Sequence, residues 1–415
     1  MKNIKTFLFL IILFFLHLSC KNIFISDHKI TYAHSNSMNL TDFSVFHLND
    51  SVSQLSFNVP MHELLYKRTD ITESFNAMFK VEYQLYNSLN PKVLYRNSSE
   101  TFIDTVHVNK KIWQEYHINI KRPSFENGLI KIIFSDLHKN KKADFLCYYD
   151  LTAHSHQFFR LINIADQSTV FNPYVSTQDT LRIVISNSIT QERLYVSYFE
   201  NILDIALPPF SEAQQKSYKW LPDSSFSVMV KNNSITNLSF SKEGIYHFSV
   251  DTLSRKGITV LRFYEGYPKI ISHQQMLEPL RYLTSNKEFQ HLIISENKLE
   301  DIETFWIEIA KNKDRAKNLI REYYNRVLQA NIFFTSYQEG WKTDRGMIYI
   351  ILGTPNIIYK TYNKETWVYG DDKSLRSMNF EFIKIDNPLT DNDFSLLRSI
   401  NYKENWHRAI DMWRK

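Results

Sequence analysis

The sequence predicts a mostly β chain with a C-terminal α+β domain: two antiparallel β-sandwich modules, followed by helices and an antiparallel meander. Three observations predict it. As far as about residue 270, short runs alternate apolar and polar residues, the period of a strand with one buried face. Beyond that point apolar residues recur three and four apart, the period of a helix with one buried face. Aromatic residues make up 15% of the 415 residues, enough to fill several cores.

At the N-terminus, Lys2 and Lys5 precede an apolar run over 7–16 that leads into Leu18-Ser19-Cys20. This predicts a lipoprotein signal over 1–19, with Cys20 diacylated as the first mature residue. An ordinary cleaved signal or an uncleaved anchor would share the first part of the pattern, but the run is shorter than the roughly 20 residues of a spanning helix. Residues 20–40 are polar and predict a lipidated tether. Removing 1–19 takes away Lys2 and Lys5 and lowers the formal charge from +5 to +3. The remaining charges are interspersed, so nothing points to nucleic acid. Cys147 is the only other cysteine, and among Phe145, Leu146, Tyr148 and Tyr149 it reads as a small buried hydrophobe, not a nucleophile.

Residues 41–160 predict the first sandwich. Runs over 52–59 and 79–86 alternate cleanly, and strand-like runs follow at 102–108, 113–120, 129–134 and 145–149. Lys139-Asn140-Lys141-Lys142 reads as a polar turn between the last two. Short strands at regular spacing suggest an Ig-like sandwich. Residues 161–272 repeat the texture, with candidate strands at 181–186, 193–199, 226–230, 244–250 and 257–264. Prolines at 208, 209 and 222 punctuate the loops between them.

The C-terminal domain is placed at 273–415. Ser285-Asn286-Lys287-Glu288 is a capping-box pattern. Leu299, Ile302, Trp306 and Ile309 then mark one helix, and Leu319, Tyr323, Val327 and Ala330 a second. Strands are expected at 357–359, 366–369 and 378–385, and a helix over 404–413. Between the second helix and the meander lies Gly340-Trp341-Lys342-Thr343-Asp344-Arg345-Gly346, a tight turn that feeds the apolar run 347–352, expected to be the central strand. Of the eight glycines in the chain, Gly340, Gly346, Gly353 and Gly370 fall here, so the backbone needs positive φ or close approach at this place.

Gly340-Trp341-Lys342-Thr343-Asp344, then Arg345-Gly346, Gly353-Thr354-Pro355 and Thr366-Trp367-Val368-Tyr369, resembles the GWxTD domain of lipoproteins and envelope proteins of the Bacteroidetes group. Pro279-Leu280-Arg281-Tyr282 and the stretch from Arg321 to Val327 are similar to that family's lead-in helix. Asn356 departs from the acidic residue that often follows the proline. The resemblance implies a domain and a compartment but no activity. It also bears on the anchor: in some such lipoproteins acidic residues soon after the cysteine accompany export to the surface, and here none occurs before Asp27. The expectation is therefore the periplasmic face of the outer membrane, with the cell surface as the alternative.

Two roles are open for the turn. In one, Trp341 is a buried anchor, Gly340 and Gly346 permit the turn, and Thr343 and Asp344 accept nearby backbone N–H groups. In the other, Asp344 and Arg345 face a groove with Trp367 and Tyr369 and grip a glycan or peptide. His154 and His156 would share a strand face, yet no third metal ligand is identifiable. No metal, no cofactor and no catalytic residue is therefore assigned, and no H-E-x-x-H, G-x-S-x-G or phosphate-binding glycine loop occurs. Asp50-Ser51-Val52, Asp104-Thr105-Val106, Asp179-Thr180-Leu181 and Asp251-Thr252-Leu253 resemble O-glycosylation sites of Bacteroides relatives, and read equally as turn-to-strand chemistry. The expected function is a lipid-anchored envelope protein, bound to the membrane through its lipid, that binds or scaffolds an envelope protein or glycan. The alternative is a glycan- or peptide-processing enzyme with its site at the turn.

Overall fold

The structure, a computed structural model, describes residues 28–29, 42–68, 74–88, 90–105, 112–201, 204–213, 220–252, 256–370 and 377–415. Cys20 and most of the expected tether lie outside the described residues. The first strands are β1 (His28–Lys29), β2 (Phe43–His47), β3 (Val52–Pro60), β4 (Asn76–Asn87), β5 (Asn90–Thr105), β6 (Trp113–Lys121), β7 (Asn127–Asp136) and β8 (Lys141–Asp150). Two antiparallel sheets form from them, ordered β2-β3-β6 and β5-β4-β7-β8. Alternation does the work expected of it: Leu55, Phe57 and Val59 of β3 and Phe79, Val81, Tyr83 and Leu85 of β4 enter one shared core. The β7–β8 turn falls at residues 137–140, where Asn140 takes φ 53°.

Next come β9 (Phe159–Asn163), β10 (Leu181–Ile185), β11 (Arg193–Phe199), β12 (Ser224–Met229), β13 (Ser234–Leu238), β14 (Gly244–Ser249) and β15 (Gly257–Arg262). They make the sheets β13-β10-β9 and β12-β11-β14-β15, with a second core between them. Leu151 packs against both cores. The expected shared strand face of His154 and His156 is absent. Residue 154 sits in a turn at φ 62°, and residues 156–158 form a 3-10 helix, because Asp150 ends its strand by accepting the Thr152 amide at 2.8 Å.

His47 joins this region to the first core. Tyr149 and Ser53 hydroxyls lie 2.8 Å apart, Ser53 Oγ is 2.8 Å from His47 Nδ1, and His47 Nε2 is 2.9 Å from the Asp150 carbonyl, all buried. A ring with one N–H satisfies both ends of that chain, so the neutral form fits. Burial outweighs the Asp150 hydrogen bond and brings the imidazole down to about 4. The unfolded chain takes up a proton near pH 6.5 that the folded chain refuses. Stability from this group should therefore be complete above about pH 6.5 and fall by about 3 kcal/mol as pH drops through about 4. Denaturant unfolding of the wild type and His47→Gln between pH 7 and 4 should show that slope in the wild type alone.

The C-terminal part holds α1 (His273–Leu277), α2 (Asn286–Ile294), α3 (Lys298–Ala310), α4 (Lys313–Phe334) and α5 (Asp344–Leu352), then β16 (Ile357–Lys360), β17 (Lys364–Tyr369), β18 (Met378–Lys384), β19 (Phe394–Leu396) and α6 (Lys403–Arg414). Ser285 caps α2 in the expected box with Glu288. The meander is ordered β16-β17-β18-β19, and β1 adds to its open edge through His28↔Lys360 and Lys29↔Tyr359. One expectation fails here: residues 347–352 are not a central strand but lie within α5. An unbroken apolar run cannot by itself distinguish a buried strand from a buried helix. Helical hydrogen bonding satisfies the backbone internally, and Met347, Ile348, Tyr349, Ile350 and Ile351 are all buried, the pattern of a helix surrounded on every side.

Candidate functional site

The motif is built where the end of α4 meets the start of α5. Residues 340–342 make a 3-10 turn, after which Thr343 caps α5. Its hydroxyl donates to the Gly340 carbonyl at 2.8 Å and accepts the Gly346 amide at 3.0 Å. A Cβ on Gly340 would fall well inside van der Waals contact of the Ala330 carbonyl in α4, and one on Gly346 would do the same to the Gly340 carbonyl. These two glycines let helix, turn and helix touch backbone to backbone. Trp341 is buried; its amide donates to Asn331 Oδ1 at 3.0 Å and its carbonyl accepts the Tyr282 hydroxyl at 2.8 Å. Lys342 is 4% exposed and pairs with Glu339 at 2.8 Å. Burial pushes the Glu339 carboxyl up, against the pull of Lys342.

Asp344 and Arg345 do not face an open groove with Trp367 and Tyr369, for both are 1% exposed. Asp344 accepts the Leu396 amide at 2.7 Å and both terminal nitrogens of Arg398, one of them at 3.1 Å. Burial pushes its carboxyl above the ordinary range, against the pull of Arg398. Arg345 points the other way. It donates to Glu365 at 3.2 Å and to the Asn392 carbonyl and side chain at 2.9 and 2.5 Å. Glu365 also accepts Lys360 at 2.8 Å and the Trp367 indole N–H at 3.2 Å. Burial works against its charge, yet Lys360 and Arg345 hold the carboxyl down at about 2.

The rest of the expected motif brackets this core. Gly353 ends α5 at φ 80°, its carbonyl accepting the Tyr369 hydroxyl at 2.8 Å. Pro355 is buried, and Asn356 accepts the Gly370 amide at 2.7 Å, a bond that Asn and Asp side chains both make in turns. Trp367, fully buried, lies against Phe334 and Phe382. The motif also reaches the second β unit: Ala206 donates its amide to the Lys342 carbonyl at 2.9 Å, and Arg398 donates to the Leu207 carbonyl at 3.1 Å. Sequence reasoning missed Glu365, Asn392 and Arg398. A signal existed only for Glu365, which shares a strand face with Trp367 and Tyr369.

Among the other candidates, the Cys147 thiol donates to the Tyr148 carbonyl at 3.4 Å, and burial pushes it up to about 12, so it carries little thiolate at neutral pH. His156 pairs with Asp391 at 3.0 Å instead of with His154. Among the described residues no group of three or more His, Cys, Asp or Glu side chains is placed to hold a metal ion, and no helix is long and apolar enough to cross a membrane. Ser51 and Thr252 are exposed, and Thr105 and Thr180 half-buried.

No curated protein sequence matches the chain. Among solved structures, a red sea bream transglutaminase aligns with 55% of this chain at 7% identity and a TM-score of 0.17, and the alignment takes in 32% of that enzyme. Likeness at that level carries no fold or functional assignment. A family model does match: residues 244–415 fit the GWxTD domain, beginning within β14 and so earlier than the expected start at 273.

Proposed function

We propose that this chain is a lipid-anchored envelope protein that binds or scaffolds another envelope component, and that its GWxTD turn organises the fold instead of turning over a substrate. The observation that carries this is the engagement of the turn itself. Asp344 is spent on Arg398 and the Leu396 amide, and Arg345 on Glu365 and Asn392, all inside the protein. The same turn holds the segment 204–207 of the second β unit, which suits a part that presents β modules in fixed geometry. The anchor rests on Lys2, Lys5, the apolar run and Cys20, and the periplasmic face of the outer membrane is the proposed site.

The test is made on the native protein in its own envelope. Intact mass should exceed the bare chain 20–415 by at least a diacylglyceryl group, and Cys20→Ser should lose both the mass and membrane fractionation. Reversible crosslinking should then recover one stoichiometric protein or glycan partner from wild type and Asp344→Asn alike, provided the variant folds. Soluble, unmodified wild-type protein would sink the anchor; glycan or peptide turnover abolished in a folded Asp344→Asn would sink the non-catalytic reading.

A further inference from the structure

A cleft of about 490 Å³ lies where the two β units and the C-terminal domain converge, within the size range of ligand pockets, which favour such junctions. Its walls have a common origin. Each of the four sheets of the β units ends on one side in a strand that contributes to this cleft: β2, β8, β9 and β15. The edges differ in how far they are already satisfied. On β9 the Leu161 carbonyl accepts the Val170 amide at 2.9 Å, and on β15 the Leu261 carbonyl accepts the Val175 amide at 3.0 Å.

On β8 a side chain stands in for a strand. The Gln157 side-chain amide donates to the Tyr148 carbonyl at 2.8 Å and accepts from the Asp150 amide at 3.0 Å, the two edge bonds that successive peptide groups of an added strand would make. On β2 the register and the Asn58 amide bond to the Asp42 carbonyl turn residues 42, 44 and 46 toward β3. Phe43 and Val45 therefore direct their main-chain groups outward, and among the described residues no hydrogen bond meets them there. The lining of the cleft also includes apolar Phe171 and Phe333, and His156 paired with Asp391 at 3.0 Å.

We infer that this cleft is a peptide-binding site, in which an extended segment of a partner protein adds as a strand to the outer edge of β2. Main-chain hydrogen bonds to Phe43 and Val45 hold it, and its side chains meet the apolar and polar side chains that line the cleft. A strand added here touches both β units and the C-terminal domain at once, so its occupancy ties the three together. The inference deepens the binding role proposed above and rests on it.

The probe is a pool of random N-acetylated, C-amidated hexapeptides, titrated by fluorescence polarisation against the purified full chain. Selected members should bind saturably. N-methylation at alternate residues should weaken them about tenfold on one edge and leave the other edge unaffected, as expected for lost main-chain bonds. Val45→Pro removes the outward amide and leaves the bonds to β3 possible, whereas Thr390→Trp fills the cleft from the C-terminal side; both should weaken binding about tenfold or more. If Val45→Pro does not fold, Thr390→Trp and the N-methyl series decide. No saturable binding, or binding indifferent to N-methylation and to a folded Thr390→Trp, overturns the inference. Failure of the membrane anchor would show separately, as Cys20-independent fractionation with peptide binding intact.

Discussion

Gly340→Ala and Gly346→Ala should each destabilise the C-terminal domain by about 3 kcal/mol or more, enough to leave much of the chain unfolded. The cost arises from backbone meeting backbone. A methyl at 340 collides with the Ala330 carbonyl and the Asn331 Cα, and one at 346 with the Gly340 carbonyl and the Trp341 Cα. None of those atoms can turn aside as a side chain can. Relief would mean drawing α4 away from the turn, which would break the Asn331 bond to the Trp341 amide and open the contact around Trp341. Gly370→Ala is the matched control. Its φ is 91°, but the nearest atom among the described residues, the Ser377 Cα, stands 3.6 Å from the added methyl, so the expected cost is the backbone penalty of about 1 kcal/mol. Denaturant unfolding of the three variants should separate them cleanly; a Gly340→Ala within 1 kcal/mol of wild type would mean that α4 and the turn do not meet as described.

Much of the fold was legible because its elements announce themselves locally. Ser285 and Glu288 sit at capping-box spacing, and β3 and β4 alternate because one face of each enters a core. β5 shows the opposite case. It lies at the edge of its sheet, and from 93 to 101 it is almost wholly exposed, so no apolar face marks that stretch as a strand. The run 347–352 misleads for the converse reason, since burial on every side erases periodicity. The importance of the turn was also legible in its glycines, but not its partners. Arg398 lies 54 residues from Asp344, and Asn392 lies 47 from Arg345; nothing in either local sequence records that the fold brings them together.

Glu365→Gln should cost about 3–5 kcal/mol, because it leaves Arg345 and Lys360 facing a neutral amide in a buried place. Gln preserves shape and can still accept from the Trp367 indole, so the loss measures charge and not packing. The effect has a pH signature that a purely steric defect would lack. The Glu365 carboxyl stands at about 2 in the folded protein against 4.5 in an unperturbed chain, so its contribution is complete above about pH 4.5 and is lost as pH falls toward 2, amounting to about 3 kcal/mol. The wild type should lose that stability on acidification and Glu365→Gln should not. The gap between them should therefore narrow steadily from pH 6 to 2.5 in denaturant titrations of the full chain. A gap of constant size across that range would mean that Glu365 serves the fold through shape alone, and that the two cations beside it are satisfied by other partners.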